Sequence, residues 1–369
     1  MLIFKKIIGL ILLVILKLFK PIVIIRFGFF QSSRIGGFIP QVENYIQSKK
    51  NKNKKQLDII TFENDICNTL IKNLARSKIK IYKKNKIILR LIECMNIASG
   101  GKNIHIIQMI GFPIDSHLLN CKTFLEDNNK INKEKLICIH NRDNKYLNEN
   151  LKKNNWDYHN FRNFSITDMK STAEYYLAKN YKVVRIGNTA EEKLKITNPN
   201  FIDYPFLNNK SEELEFEYMN KCEYYIGCNS GLWMLALHLK KKMLITNWHE
   251  FSLLNNIRHN RFSIIPRLYF DQNLSRYLTI DEVCQRKLDR IGHDNLLHKE
   301  NIKLLSNNSQ DILNSSKEFI KMTNSKYIES EIEKEFWSII KKYNKNTNKK
   351  INVNISNYFL NKYQKVLFK

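Results

Sequence analysis

The sequence predicts an α/β fold in which parallel sheets are covered by helices. In the second half of the chain, short apolar runs such as KLICIH (135–140) and YKVVRI (181–186) alternate with amphipathic segments. This alternation indicates parallel strands joined by right-handed helical crossovers. The first half shows a weaker version of the pattern, with candidate strands in PIVIIRFGFF (21–30) and LDIITF (57–62). At 369 residues, the chain is long enough for two such domains and a tail.

We divide the chain into four regions on this basis. They are an apolar helix at 1–20, an N-terminal α/β domain at 21–130, a C-terminal α/β domain at 131–270 and a C-terminal helical extension at 271–369. The stretch RFSIIPRLYF (261–270) lies between two helix-like segments, and we interpret it as a loop.

The first twenty residues have the pattern of a helix that lies on a membrane surface. Ten almost wholly apolar residues, 7–16, stand between Lys6 and Lys17. Ten residues are too few to span a bilayer comfortably, and no small-residue cleavage site follows them. An apolar helix bounded by lysines suits the headgroup region of an anionic membrane. A marginal span or uncleaved anchor, and a buried helix, are the alternatives.

The formal net charge of +26, from 61 Lys and Arg against 35 Asp and Glu, favours anionic partners. Compositional bias is an equally good explanation, because Lys, Asn and Ile are abundant throughout the chain. The positive residues are spread out and no nucleic-acid-binding module is recognisable, so we expect no nucleic-acid partner. The seven cysteines show no CxxC spacing, which predicts buried thiols in a reducing compartment rather than disulfides.

Motifs for several common chemistries are absent from the sequence. It contains no H-E-x-x-H, no Asp-x-Asp and no Cys/His pair at ligand spacing, so we expect no metal site. It also contains neither a P-loop nor a G-x-S-x-G elbow. P-loop NTPases and serine hydrolases are therefore excluded.

A turn in the second half has the composition of an anion-binding loop. The predicted strand 224–226 runs into GCNSG (227–231), and a helix follows from Leu232. Glycines at a strand-to-helix turn leave backbone N–H groups pointing towards a ligand, most often a phosphate. The candidate residues are Gly227, Asn229, Ser230 and Gly231. An ordinary tight β–α turn is the alternative, because short glycine motifs match by chance.

A second polar cluster, His140-Asn141-Arg142-Asp143, follows the predicted strand KLICIH. Ligands of open α/β sheets bind outside the carboxyl ends of the strands. The guanidinium of Arg142 can bind a diphosphate in bidentate fashion, which makes it the leading candidate. A structural salt bridge between Arg142 and Asp143 is the alternative. His140 either orients another group or is a structural histidine.

Two loops complete the set of candidates. A polar, aromatic loop follows the Arg142 cluster, and such a loop indicates contacts with a base or sugar. Its candidate residues are Trp156, Asp157, Tyr158, His159, Arg162 and Asn163. In the first half, the turn containing Ser33, Arg34 and Gly36 resembles the first β–α turn of a nucleotide-binding domain, without the full G-x-G-x-x-G spacing.

Together, these segments resemble a family of bacterial glycosyltransferases that act in surface-polysaccharide synthesis, and more distantly the fucosyltransferase-like branch of the GT-B glycosyltransferases. The resemblance rests on the order CIHNRD, WDYHNFRN, YKVVRIGN and CEYYIGCNSG, followed by Asn247-Trp248. It covers 130–250 well and 21–50, with RFGFFQSSRIGGF, more weakly.

The resemblance implies a GT-B fold, in which two Rossmann-like domains with parallel sheets face each other across a cleft. The C-terminal domain would bind most of the nucleotide-sugar. In the related His-x-Arg-x-x-Asp-type motif the arginine meets the donor diphosphate, and His140, Asn141 and Arg142 match it. Here the acid follows at once, as Asp143. The implied catalytic residues are Arg142 and Asp143, with the GCNSG turn on the diphosphate.

We therefore expect transfer of a hexosyl or deoxyhexosyl group from a nucleotide diphosphate-sugar to a lipid-linked or cell-surface glycan, with inversion and with neither metal nor other cofactor. Ser33, Arg34 and Gly36 would lie on the acceptor side. The catalytic base would come from the N-terminal domain, where Glu63, Asp65 and His105 are candidates by residue type alone.

We expect the enzyme at the cytoplasmic face of the bacterial inner membrane, attached peripherally or monotopically through residues 1–20. Two other functions fit the same resemblance. One is another surface-polysaccharide transferase of this architecture, such as a pyruvyl transferase. The other is a non-catalytic binding protein that kept the fold.

Overall fold

The computed structural model describes residues 1–50, 55–63, 65–101, 103–109, 125, 135–152, 155–251, 254, 258–325, 328–343 and 352–369. The chain divides into two compact units, Met1–Asp127 and Asn128–Lys369. The predicted domain boundary at residue 130 lies outside the described residues.

The first unit contains a parallel pair of strands with helices around it. Strand β1 (Ile24–Phe30) pairs in parallel with β2 (Gln56–Phe62), and Phe27 of β1 forms a parallel bridge with Ile106 on its other side. Strand β1 therefore lies between two neighbours. The helices of this unit are α1 (Leu2–Phe19), α2 (Ile35–Lys50), α3 (Thr69–Lys78) and α4 (Lys86–Ser99).

Helix α1 packs against α4 through one face. Gly9, Leu13 and Leu16 are its buried residues, at the spacing of one helical stripe. A Cβ atom on Gly9 would collide with the carbonyl oxygen of Cys94, so only glycine permits this close approach of the two helices. Leu13 and Leu16 belong to a hydrophobic cluster with residues of α4 and β1, including Met95. Among the helices described, none is both long and apolar enough to cross a membrane.

The second unit is built on a parallel sheet whose described strands follow the order β12-β8-β7-β6-β3-β4-β5. Its strands are β3 (Leu136–Ile139), β4 (Lys182–Arg185), β5 (Phe201–Asp203), β6 (Tyr224–Cys228), β7 (Lys242–Trp248), β8 (Arg258–Pro266) and β12 (Asn352–Ile355). The predicted α/β class is confirmed. The cleft between two domains stays a prediction.

The order of strands in this sheet reverses between β3 and β6. The chain passes from β3 outward to β4 and β5, and then returns to β6 on the other side of β3. Ligands of open α/β sheets bind in the crevice that such a reversal creates at the carboxyl ends of the strands. All four residues of β3 are fully buried, so the groups that follow it start from a rigid strand.

The stretch 261–270 was expected to be a loop, and this interpretation is wrong. It contributes to β8 and to β9 (Leu268–Asp271). Ile264 and Ile265 are both fully buried. Consecutive buried apolar residues are expected in a parallel strand that is covered on both faces, because neither face alternates with polar, exposed positions. Pro266, which lacks an N–H group, ends the strand.

The region 271–369, expected to be a helical extension, also contributes strands. Strand β12 pairs with β8 at the edge of the main sheet. Two further strands, β10 (Arg276–Tyr277) and β11 (Ile302–Leu305), pair in antiparallel fashion with β9.

Helices surround these sheets. The α-helices described in the second unit are α5 (Lys145–Asn150), α6 (Lys170–Ala178), α7 (Glu212–Lys221), α8 (Leu232–His238), α9 (Ile280–Gln285), α10 (Asn295–Lys299), α11 (Ser309–Thr323), α12 (Glu331–Tyr343), α13 (Asn357–Lys362) and α14 (Gln364–Leu367). Short 3-10 helices span Asp157–Arg162, Ile166–Met169, Tyr204–Phe206 and Leu288–Arg290.

Candidate functional site

Polar side chains gather where the strand order reverses. Strands β3 and β6 are parallel neighbours, with Ile139 opposite Ile226. Arg142 follows the end of β3, and Asn229 follows the end of β6. The two groups singled out from the sequence therefore belong to adjacent strand ends at one edge of the sheet.

Two predicted arginines are fixed at this edge by the loop after β3. Arg142 donates from Nη1 to the carbonyl oxygen of His159 at 3.1 Å, and to Oδ1 of Asn163. Arg162 donates from Nη2 to the carbonyl oxygen of Asn229 at 2.6 Å and to its Oδ1 at 3.3 Å. The 3-10 turn Asp157–Arg162 thus connects the ends of β3 and β6.

A third arginine, Arg267, comes from the end of β8 and was not predicted. Its guanidinium donates to the carbonyl oxygens of Phe161 and, at 3.2 Å, Asn163. We call Arg142, Arg162 and Arg267 the arginine cluster. Burial, with the positive charge of Arg162 adding to it, lowers the pKa of Arg142 and that of Arg267 to about 10 each. Both stay protonated at neutral pH.

No salt bridge recorded for the described residues involves a member of the arginine cluster. Arg142 is 9% exposed and Arg267 is 2% exposed, and among the described residues their donors meet neutral carbonyl and amide oxygens. The Nε atoms of Arg162 and Arg267 are buried with no hydrogen-bond partner in the described part of the chain. A buried guanidinium that forms no ion pair is unfavourable, so this arrangement favours a bound anion.

Glu250 and His249, just beyond β7, border the arginine cluster. Glu250 Oε2 accepts a hydrogen bond of 2.6 Å from Asn229 Nδ2, and burial raises the pKa of Glu250 although the nearby Arg162 charge lowers it. The ring of His249 packs edge-on against Phe161, with 5.1 Å between ring centroids. Burial holds the pKa of His249 well below its usual range, so this ring is neutral and adds no charge.

The GCNSG segment differs in detail from the predicted turn. Gly227 lies inside β6, where a Cβ atom would collide with the hydroxyl of Tyr225. The N–H of Ser230 donates to the carbonyl oxygen of Cys228 at 2.7 Å, so it is already used within the turn. Gly231 directly precedes α8, which has seven residues. The polar surface here includes the side chain and the carbonyl oxygen of Asn229, both of which accept from Arg162.

The aromatic loop packs largely on itself. The rings of Trp156 and His159 are nearly parallel with centroids 6.1 Å apart, and Trp156 Nε1 donates to the carbonyl oxygen of Leu151 at 2.9 Å. Tyr158 stacks on His293, with centroids 4.4 Å apart. Asp157 Oδ1 accepts a hydrogen bond of 3.3 Å from an amide in the same turn. This packing aims the loop's carbonyl oxygens at the arginines. Its contact with a base or sugar stays a prediction.

Asp143 and His140 make local structural contacts. The carboxylate of Asp143 accepts hydrogen bonds from the N–H groups of Lys145 at 3.1 Å and Glu191 at 3.0 Å, and no salt bridge to Arg142 is recorded among the residues described. His140 Nδ1 lies 2.9 Å from the carbonyl oxygen of Ile186, and burial lowers its pKa to about 4. A catalytic role for Asp143 stays a prediction.

In the first unit, the candidates for the catalytic base occupy different ends of the sheet. Glu63 follows β2 at its carboxyl end, and burial raises the pKa of Glu63. Asp65 is exposed in the same loop. His105 is buried, with Nδ1 at 2.6 Å from the carbonyl oxygen of Ile25 near the start of β1. Of the two, Glu63 lies at the carboxyl end of the strands, the side on which parallel sheets bind ligands.

The acceptor-side candidates lie beyond the end of β1. Ser33 and the exposed Arg34 precede α2, and Gly36 is its second residue. The charge of Arg34 lowers the pKa of Glu63 while burial raises it, which indicates that the two side chains are close in this unit.

No group of three or more His, Cys, Asp or Glu side chains that could hold a metal ion occurs in the described ranges. The positive charge of the candidate site comes from the three arginines.

Sequence reasoning missed Arg267, His249 and Glu250. The signal was present, because Arg267 follows the apolar run SIIP and His249 follows MLITNW. Treating every apolar run of this length as a strand, and taking the first polar residues after it, would have found all three.

Comparisons with known proteins give one distant structural match. No family model matches the chain, and no curated protein matches it. Among solved structures, the E. coli heptosyltransferase WaaC with ADP-2-deoxy-2-fluoro heptose matches with a TM-score of 0.23 and 9% sequence identity, over 56% of this chain and 60% of that chain. The chain thus spans about 60% of the length of the structure it matches.

Proposed function

We propose that this protein is a glycosyltransferase that uses a nucleotide diphosphate-sugar and binds the donor diphosphate at the arginine cluster. The observation that supports this most directly is the set of three buried or half-buried arginines at the strand-order reversal of a parallel sheet, none of which forms an ion pair with a described carboxylate. A diphosphate has the charge and the spaced oxygens that several guanidinium groups can bind together.

The same cluster would assist the chemistry. As the bond between the sugar and the diphosphate breaks, negative charge grows on the departing diphosphate. Arginines already fixed by backbone carbonyl oxygens of the loop and of Asn229 need little rearrangement to stabilise that charge. The proposed reaction therefore requires no metal ion for leaving-group stabilisation, and we retain Asn229 as a further donor beside the arginines.

The acceptor we propose is a lipid-linked or cell-surface glycan, and the transferred group a hexosyl or deoxyhexosyl residue with inversion at the anomeric carbon. Glu63 is the residue we would test first as the base that deprotonates the acceptor hydroxyl, because burial already raises its pKa. Location at the cytoplasmic face of the bacterial inner membrane stays a prediction.

The test is a thermal-shift panel of the purified protein with UDP, GDP, ADP and CDP and their common sugar conjugates, in EDTA and again with Mg²⁺. A ligand at about 100 times its Kd stabilises a protein by about 2.7 kcal/mol. We therefore expect one nucleotide to raise the Tm by several degrees in EDTA. The shift should disappear in Arg142→Met and persist in Arg276→Met, an exposed arginine paired with Glu282 in the same unit.

The other outcomes are equally informative. A shift that needs Mg²⁺ would contradict the metal-independent reaction. Binding of a nucleotide-sugar without turnover on any glycan would favour a non-catalytic binding protein. A shift with phosphoenolpyruvate but with no nucleotide would favour a pyruvyl transferase. No shift with any of them would refute the arginine cluster as a donor site.

A further inference from the structure

The outer face of α1, on the side away from α4, is a contiguous exposed apolar surface. Its exposed large side chains, with exposed fractions from 45% to 77%, are Leu2, Ile3, Phe4, Ile7, Leu10, Ile11, Val14, Ile15, Leu18 and Phe19. Elsewhere in the described chain, exposed large apolar residues are scattered. A contiguous exposed apolar surface on a protein usually marks a binding surface.

The two faces of α1 are distinct. Gly9, Leu13 and Leu16 point towards α4, and Lys5 forms an ion pair of 2.6 Å with Glu93 of α4 on that side. The exposed apolar residues occupy the remaining arc, with Ile7, Ile11 and Val14 at the spacing of neighbours on one helical face. Because α4 covers the inner face, the outer face alone is available to a partner.

Positive charge borders this face. Lys6 and Lys17 are exposed and stand eleven positions apart, about three helical turns, so both lie along the same side of α1. Lys20 is also exposed at the end of the helix. The sequence contains no acidic residue before Glu43. A partner that fits must therefore be apolar at its centre and negatively charged at its edge.

We infer that α1 is a membrane-docking helix that lies parallel to the surface of an anionic bilayer, with its outer face among the acyl chains and Lys6, Lys17 and Lys20 at the headgroups. The occupant is the lipid surface and not another protein, because lysine side chains reach anionic headgroups while the apolar arc enters the hydrocarbon boundary. The fit of Gly9 against α4 fixes the helix to its unit, so the whole enzyme follows it to the membrane.

The experiment is co-sedimentation of the full chain with phosphatidylcholine vesicles and with vesicles that contain 30% phosphatidylglycerol. We expect at least tenfold stronger partition to the anionic vesicles, since each lysine near such a surface contributes about 1 kcal/mol. The triple variant Ile7→Ser/Ile11→Ser/Val14→Ser should lose at least tenfold in partition to both. Lys6→Glu/Lys17→Glu should remove the preference for anionic lipid.

Controls separate loss of binding from loss of folding. Leu274→Ser and Ile328→Ser, at apolar residues that are 54% and 78% exposed outside α1, should leave partition unchanged. The α1 variants keep Lys5, Gly9, Leu13 and Leu16 on the side of α4, and their Tm should stay within about 3 °C of the wild type. Nucleotide binding in solution should also persist, so failure of this proposal is distinguishable from failure of the proposed function.

Three results would overturn the inference. In the first, the wild-type protein stays in solution with both kinds of vesicle, and light scattering shows a dimer that the triple variant does not form. The outer face of α1 would then bind a second copy of the chain. The second is equal partition of the wild type and the triple variant. Protein that sodium carbonate at high pH cannot extract from vesicles would contradict the surface orientation.

Discussion

Two arginines at adjacent strand ends of the same sheet have opposite surroundings. Arg185, the last residue of β4, donates to Asp203 Oδ1 at 3.3 Å and to Asn141 Oδ1 at 3.0 Å, and the ion pair is buried. Arg142, just beyond β3, donates to the neutral oxygens of His159 and Asn163 in the described part of the chain. The sheet therefore pairs Arg185 with a carboxylate on its β4–β5 side, whereas the described residues form no ion pair with Arg142 on its β3–β6 side.

The difference separates a structural arginine from a binding arginine. The first unit contains another structural arginine, Arg26. It donates from Nε and Nη2 to the carboxylate of Asp58 at 2.7 and 2.6 Å, and Tyr45 donates to the same carboxylate at 2.5 Å. Where the fold itself needs a buried arginine, it includes the acid. Where the described residues form no such ion pair, a ligand can supply the counter-charge, and the predictions below test that distinction.

The largest expected effect is on the structural side. Arg185→Met leaves Asp203 buried beside an uncharged side chain, and breaking a buried pair in this way costs about 3–5 kcal/mol of stability. Urea unfolding followed by circular dichroism measures it. The double variant Arg185→Met/Asp203→Asn should recover a large part of the loss. A loss below about 1 kcal/mol would show that the pair does not matter to the fold.

The second prediction concerns the binding side. Arg142→Met removes charge-assisted hydrogen bonds to the diphosphate and should weaken nucleotide binding by about 2–3 kcal/mol, or about 30- to 150-fold. Stability should fall by no more than about 1 kcal/mol, because no carboxylate is left unpaired. Calorimetric titration and urea unfolding of one preparation give both values. A variant as unstable as Arg185→Met would erase the distinction between the two arginines.

A smaller effect is expected from Glu215, a buried carboxyl group whose contribution to stability depends on pH. Glu215 on α7 is buried with Oε1 unpaired in the described chain, and burial raises the pKa of Glu215 to about 7. A raised folded-state pKa gives stability that is complete below the ordinary pKa and is lost as the pH rises through 7. Raising the pH from 4.5 to 8 should therefore lower the free energy of unfolding of the wild type by about 1–3 kcal/mol more than that of Glu215→Gln. Parallel curves for the two proteins would contradict this.

The smallest expected effect is at the edge of the arginine cluster. Glu250→Gln removes a negative charge near Arg162 but keeps an oxygen that can accept from Asn229 Nδ2. Diphosphate binding should strengthen by about two- to fivefold, since a repelling charge of this kind contributes roughly 1 kcal/mol or less near a protein surface. Titration calorimetry measures the change. Binding weakened more than tenfold would instead mean that Glu250 holds the donor directly.

The sequence was sufficient to predict which polar residues lie at the strand ends, but not which charged residues form ion pairs with each other. Arg142 and Asn229 were found because apolar runs mark buried strands, and polar residues after them fall at one edge of a sheet. The partner of Arg142 could not be found this way. Asp143 is its neighbour in sequence but binds two backbone N–H groups, whereas Asp203, eighteen residues beyond Arg185, pairs with that arginine. Pairing depends on where loops fold, which periodicity does not encode.

The position of β12 has a consequence for synthesis on the ribosome. Asn354 of β12 pairs with Ser263 of β8, so the outer edge of β8 is covered by a segment made long after it. Until that segment emerges, β8 presents unpaired N–H and C=O groups beside fully buried residues such as Ile264. Nascent chains at this stage are exposed to edge-to-edge association, and overproduction at low temperature with a chaperone that binds extended segments should raise the soluble yield.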